Sequence, residues 1–119
     1  MNAYRNRLAI LLEEAVPGFT STDGFAFKNV FGAIGGVLHG TIVISSGRFG
    51  IALRLPPQEL AGLFMLQEVE QLRYFPTGHI KKEYAVLRES ILNDQERFKF
   101  LLNASMEYVA PGKRGARED

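Results

Sequence analysis

Apolar and polar positions change period several times along the chain, and each change marks an element. Tyr4, Leu8, Leu11, Leu12 and Ala15 recur at the three- and four-residue spacing of one helix face, with Arg5, Asn6, Arg7, Glu13 and Glu14 mostly off it. Pro17-Gly18 ends that helix, and the polar cluster over 20–24 reads as a loop. Phe25 and Phe27 then open a region of period two. Between 25 and 55, three glycine-bearing pairs separate short apolar runs: Phe31-Gly32, His39-Gly40 and Ser46-Gly47. Glycine supplies the positive φ of a tight hairpin, so the region predicts four strands in an antiparallel meander. The runs 33–38 and 41–45 form a hairpin about His39-Gly40. The run 49–55 alternates most cleanly, with Phe49, Ile51, Leu53 and Leu55 on one side and Gly50, Ala52 and Arg54 on the other.

Pro56-Pro57 stops the last of these strands and starts a short helix to about Leu66, because a first helical turn leaves the missing proline donor unneeded. Short strands are expected at 72–75 and 84–87, separated by the loop Pro76-Thr77-Gly78-His79. Asn93 or Asp94 caps a final helix whose inner stripe is Phe98, Leu101, Leu102, Ser105 and Val109. The expectation is one α+β domain over 1–109, a single antiparallel meander sheet packed by N- and C-terminal helices, with a polar, solvated tail over 110–119.

Lys28-Asn29-Val30-Phe31-Gly32-Ala33, His39-Gly40, Gly47, Arg54-Leu55 and the run from Thr77 through Gly78, His79, Ile80, Lys81, Lys82 and Glu83 to Tyr84 resemble, in order, the N-terminal domain of the TfoX (Sxy) competence regulators. The resemblance extends to about Tyr108. In that family a Lys-x-Met-Phe-Gly-Gly run leads into the sheet, a polar-Gly pair turns a hairpin, a basic residue ends the fourth strand and a Gly-x-x-x-Lys-x-Tyr run leads into a late strand. Lys28, Phe31, Gly32, Gly40, Arg54, Gly78, Lys82 and Tyr84 hold those places, while Val30 stands for the usual methionine and Ala33 for the second glycine. The resemblance implies a small α+β domain without enzymatic chemistry, acting through contacts with other proteins or with itself. Full-length competence regulators carry a second, helical C-terminal domain. Here only the polar tail is expected after the resembling part, so the implied role is that of the N-terminal domain alone.

Composition narrows the function classes. With 46% hydrophobic and 23% charged residues the chain is that of a folded domain rather than a disordered one. A formal charge of +1 gives little field for nucleic acid or anionic lipid. Arg48, Arg54, Lys81, Lys82, Arg88, Arg97 and Lys99, with Tyr74, Phe75 and Tyr84 for stacking, are the residues a nucleic-acid reading would need, and interleaved acids argue against it. The absence of cysteine excludes disulfides and thiol chemistry and fits a reducing compartment. Glu13 and Glu14 interrupt the N-terminal apolar stretch before it reaches signal-peptide length, and the apolar run 30–44 is too short and too glycine-rich to span a bilayer. A cytoplasmic protein without membrane association is expected.

Candidate chemistry is sparse. Gly32, Gly35 and Gly36 lack the pattern of a phosphate-binding loop and read as positions of close strand packing. His39 fits its turn, and neither it nor His79 has a second ligand at metal spacing, so no metal or cofactor is expected. Ser45 and Ser46 read as turn residues, Asp23 and Asp94 as loop and cap residues, and no nucleophile-base set remains, so the chain is not expected to be an enzyme. The set left over is Arg54, His79, Lys81, Lys82 and Tyr84, read as an anion- or partner-binding group; the expected partner is a second copy in a homodimer or another protein.

Overall fold

The apolar stripe of the first helix does as its spacing requires. In the computed structural model, which describes residues 3–73 and 78–110, it forms α1 (Ala3–Ala15), with Leu8, Leu12 and Ala15 buried. Glu13 fastens the exit from this helix. Its carboxylate accepts hydrogen bonds from the Gly18 and Thr20 amides at 2.8 Å and from the Thr20 hydroxyl. Those bonds, from the Thr20 hydroxyl first, hold its pKa below the ordinary value. A short 3-10 turn (Phe19–Ser21) follows and sinks Phe19 into the core.

The meander is β1 (Phe25–Val30), β2 (Ala33–Leu38), β3 (Thr41–Gly47) and β4 (Gly50–Arg54). Phe31-Gly32 turns the first hairpin at φ 48° and 83°, and His39-Gly40 the second at 50° and 84°. Positive φ at both central residues matches the turn to the strand twist. The chain continues through α2 (Pro57–Met65), β5 (Val69–Gln71), β6 (Tyr84–Leu87), α3 (Glu89–Leu92) and α4 (Gln95–Val109). The six strands make one antiparallel sheet in the order β1-β2-β3-β4-β6-β5. Its class is α+β, as expected.

Cross-strand pairing sorts the side chains between two faces. Ile34, Leu38, Ile44, Ile51, Leu53, Ala85 and Leu87 join Leu8 and Leu12 of α1 and Phe98, Leu101 and Leu102 of α4 in one core. A bulge opposite Gly36 and Val37 gives β3 an extra residue, Val43, also fully buried; its carbonyl accepts from the Ser105 hydroxyl of α4 at 3.4 Å. The cap of α4 is Asp94, whose carboxylate accepts from the Arg97 amide at 3.2 Å.

Four expectations are corrected. Ser46-Gly47 is not a turn: β3 runs through Gly47, which pairs with Gly50, and the reversal falls at Arg48-Phe49. Ser45 and Ser46 are therefore strand residues, wholly buried, with no hydrogen-bond partner for either hydroxyl among the described residues. Phe49 leaves the alternation, since its ring lies where a Gly47 side chain would project, beside Ala33. The strand expected at 72–75 lies instead at Val69–Gln71 and ends before Leu72, because Gln67 with φ 59° reverses the chain just after α2. Tyr74, Phe75 and Pro76-Thr77 lie outside the described residues, as does the tail from 111 onward. The four-residue α3 was not anticipated. The packing reading fits Gly36, where a Cβ would come within 3.0 Å of Ile44 and 3.1 Å of the Phe25 ring, and Gly35, 3.2 Å from Val30, but not Gly32, which has nothing within 4 Å and serves the turn. Among the described residues no helix is long and apolar enough to cross a membrane.

Candidate functional site

Arg54 ends β4 directly opposite Tyr84, the first residue of β6, and the pairing puts both side chains on the same face of the sheet. The Arg54 guanidinium lies 5.5 Å from the Tyr84 ring centroid and 5.6 Å from that of Tyr108, near the end of α4. One of its terminal nitrogens donates to the Tyr84 hydroxyl at 3.2 Å, and the other pairs with the Glu83 carboxylate. The Tyr84 hydroxyl in turn donates to the Ile42 carbonyl of β3 at 2.9 Å, spanning β4. Only 14% of the Arg54 side chain is exposed, and among the described residues its Nε is buried without an acceptor. The cation is thus stacked between two rings and neutralised by its neighbour, which ties the end of α4 to the centre of the sheet.

His79, Lys81 and Lys82 are exposed on the segment leading into β6. Among the described residues no side-chain hydrogen bond or ion pair joins them to Arg54 or Tyr84. The structure therefore brings two of the five candidates into contact, and those two already satisfy one another through Glu83. Two other cations of the nucleic-acid reading are also paired with acids. Arg97 makes a two-pronged contact with Glu68 at 2.6 and 2.7 Å, and Arg88 lies 3.5 Å from Glu70. The hydrogen bonds from Arg97 lower the Glu68 pKa and raise that of Arg97.

A second arrangement escaped the sequence reading. α2 ends in an unbroken apolar run, Leu63 to Leu66, and one helix face cannot bury it whole. Leu63 is buried, but Met65 is 82% exposed and Leu66 69%, with Phe64 partly open beside them. Phe100 of α4, lying off that helix's buried stripe, is 63% exposed. Leu63 and Phe100 line a cleft of about 280 Å³ between α2 and α4, with Leu101, Arg97, Glu59 and Glu96. The run itself was the available signal.

Among the described residues no group of three or more His, Cys, Asp or Glu side chains could hold a metal ion. Compared with family models, curated proteins and solved structures, the chain finds no match, so its own geometry carries the functional reading.

Proposed function

We propose that this chain is a non-enzymatic, cytoplasmic regulatory domain that works by protein-protein contact and associates with a second copy of itself, as its resemblance to the TfoX N-terminal domain implies. The observation that supports this most is the apolar surface around the cleft between α2 and α4. Phe100 lines the cleft with Leu63, while Met65 and Leu66, which follow Leu63 in the same apolar run, stand in solvent, and exposed apolar patches on small domains mark places where another protein docks. Glu59 and Glu96 at the rim suit a partner segment that carries lysine or arginine beside its apolar residues.

Solution mass by light scattering over a range of concentration, with the eluate inspected for bound small molecules, is the direct test. A reversible dimer free of ligand supports the reading. A protein that stays monomeric at high micromolar concentration removes self-association from it. A monomer that carries a small anion, and loses it in Lys82→Ala, replaces the reading with an anion-binding module built on Arg54, His79, Lys81, Lys82 and Tyr84.

A further inference from the structure

The two lateral edges of the sheet are β1 and β5, and only β1 is long enough to template another strand. It has six residues, no proline and no bulge. Its hydrogen-bonding pattern can be read from the pairing with β2. The His39 amide donates to the Gly24 carbonyl at 2.9 Å, one pair beyond Phe25 and Leu38. Bonded and non-bonded pairs alternate in an antiparallel ladder, so Ala26, Lys28 and Val30 spend their amides and carbonyls on β2. Phe27 and Asn29 direct both of theirs outward, at the open edge, whereas Phe25 offers only its carbonyl there, its amide donating to the Thr22 carbonyl at 3.1 Å. These three positions are symmetric about Phe27.

We infer that β1 pairs antiparallel with β1 of a second copy, with Phe27 opposite Phe27 across a two-fold axis. In this register Phe27 exchanges two hydrogen bonds with its mate, and on either side of the centre the Asn29 amide donates to the Phe25 carbonyl of the other copy, four new bonds in all. A two-residue shift toward the N-terminus leaves two, because the Phe25 amide is spent on Thr22. A two-residue shift toward the C-terminus keeps four but sets Lys28 directly against Lys28, whereas the inferred register puts Lys28 opposite Ala26. A one-residue shift would turn the helix-covered face of one copy onto the open face of the other.

The aromatic side chains give the pairing an apolar component. Phe19, Phe25 and Phe27 form an edge-to-face chain with successive ring centroids 5.2 Å apart, and Phe25 and Phe27 remain only partly buried at the sheet margin. A second copy would continue that chain across the axis and cover both rings. Arg5, whose guanidinium lies 4.9 Å from the Phe27 ring centroid, would flank the contact on each side. Growth stops at two copies because the opposite edge, β5, has only three residues and carries the paired Glu70. Strand pairing alone covers less than the ~800 Å² per partner of a standard interface, so the dimer is expected in the micromolar range.

The inference rests on the self-association part of the proposed function and gives it a surface. Its test is amide hydrogen exchange followed by NMR on the unmodified protein, at concentrations below and above the mass transition. Slowing confined to the Phe27 and Asn29 amides, with Phe25, Ala26, Lys28 and Val30 held throughout by bonds within the chain, is the expected signature. Asn29→Pro, which removes an outward donor and none that β2 uses, is expected to stay folded and monomeric. The chain has no cysteine, so Phe27→Cys should cross-link two copies on oxidation while Lys28→Cys does not, its two-fold mate being beyond disulfide reach. A dimer whose Phe27 and Asn29 amides still exchange freely overturns the edge pairing but leaves self-association standing. Absence of any dimer overturns both. Should Asn29→Pro fail to fold, the exchange pattern of the unmodified protein decides.

Discussion

At the β1 end of the sheet the strands are joined by two-residue turns and held by volume: Gly36 makes room for Phe25 and Ile44, and Phe19, Phe25 and Phe27 stack edge to face. At the β6-β5 end the strands are shorter and charged side chains do the joining, through Arg54 with Glu83, Arg88 with Glu70 and Arg97 with Glu68. The first end depends on shape, which neither salt nor moderate pH changes. The second depends on pairs that solvent can screen and acid can dissolve. One small sheet therefore has a geometric margin and an electrostatic one, and substitutions separate them.

The largest effect is expected from Gly36→Val. Even a single Cβ there meets the fully buried Ile44 at 3.0 Å and the half-buried Phe25 ring at 3.1 Å, so two further methyl groups must displace one or the other. A loss of about 3 kcal/mol or more in denaturant unfolding is expected, at the upper end of overpacking costs. Gly62→Ala is the matching control. It lies in α2 with nothing within 4 Å of the new methyl group, so it is expected to stabilise the fold by about 0.5–1 kcal/mol. Equal destabilisation by both would show that space at Gly36 is not what holds the β1 margin.

Next in size is Arg54→Met, which keeps much of the side chain's bulk between Tyr84 and Tyr108 but removes the charge. Glu83 loses its partner and the Tyr84 hydroxyl a donor, for an expected loss of about 2 kcal/mol. Tyr84→Phe, which removes only the bond to the Ile42 carbonyl and the acceptor for Arg54, is expected to cost about 1 kcal/mol. If Arg54→Met unfolds at the same midpoint as the parent, packing and not charge holds this end as well.

The same division governs what could be read from the chain. Turns such as His39-Gly40 announce themselves because positive φ restricts the residues that can sit there, and the α4 stripe from Phe98 to Val109 does so because burial repeats with the helix. Ser46-Gly47 misleads because serine and glycine are also what fits under a folded-back ring: Phe49 and Ala33 leave no room for more at Gly47. β5 is silent, since two of its three residues are polar and only Val69 enters the core. For the candidate site, Arg54 and Tyr84 were legible as chemistry. That Glu83 and Tyr108 would close around Arg54 was not, because those contacts join elements far apart in the chain. The exposed Met65 and Leu66 were half legible, as the end of an apolar run too long for one buried face.

The smallest effect is expected from neutralising the carboxylates held below the ordinary glutamate value of 4.5: Glu68, through its bonds from Arg97, and Glu13, through its bonds from Thr20 and Gly18. Each binds a proton more weakly when folded than when unfolded. Its contribution is therefore whole above about pH 4.5 and disappears as pH falls through the lower folded value. Glu68→Gln should lower the melting temperature most at neutral pH and converge on the parent as acid protonates the folded carboxylate, and Glu13→Gln should do the same. A gap that does not narrow with acid would mean that shape, not charge, is lost in the variant. The double substitution carries the comparison furthest. Glu13 closes the turn leading to β1, whereas Glu68 links the segment before β5 to α4. With no shared partner, the two shifts should add if the margins are independent. A double variant that falls clearly short of the sum, or exceeds it, would mean that α1 and α4, which meet in one core, pass strain between the two ends of the sheet.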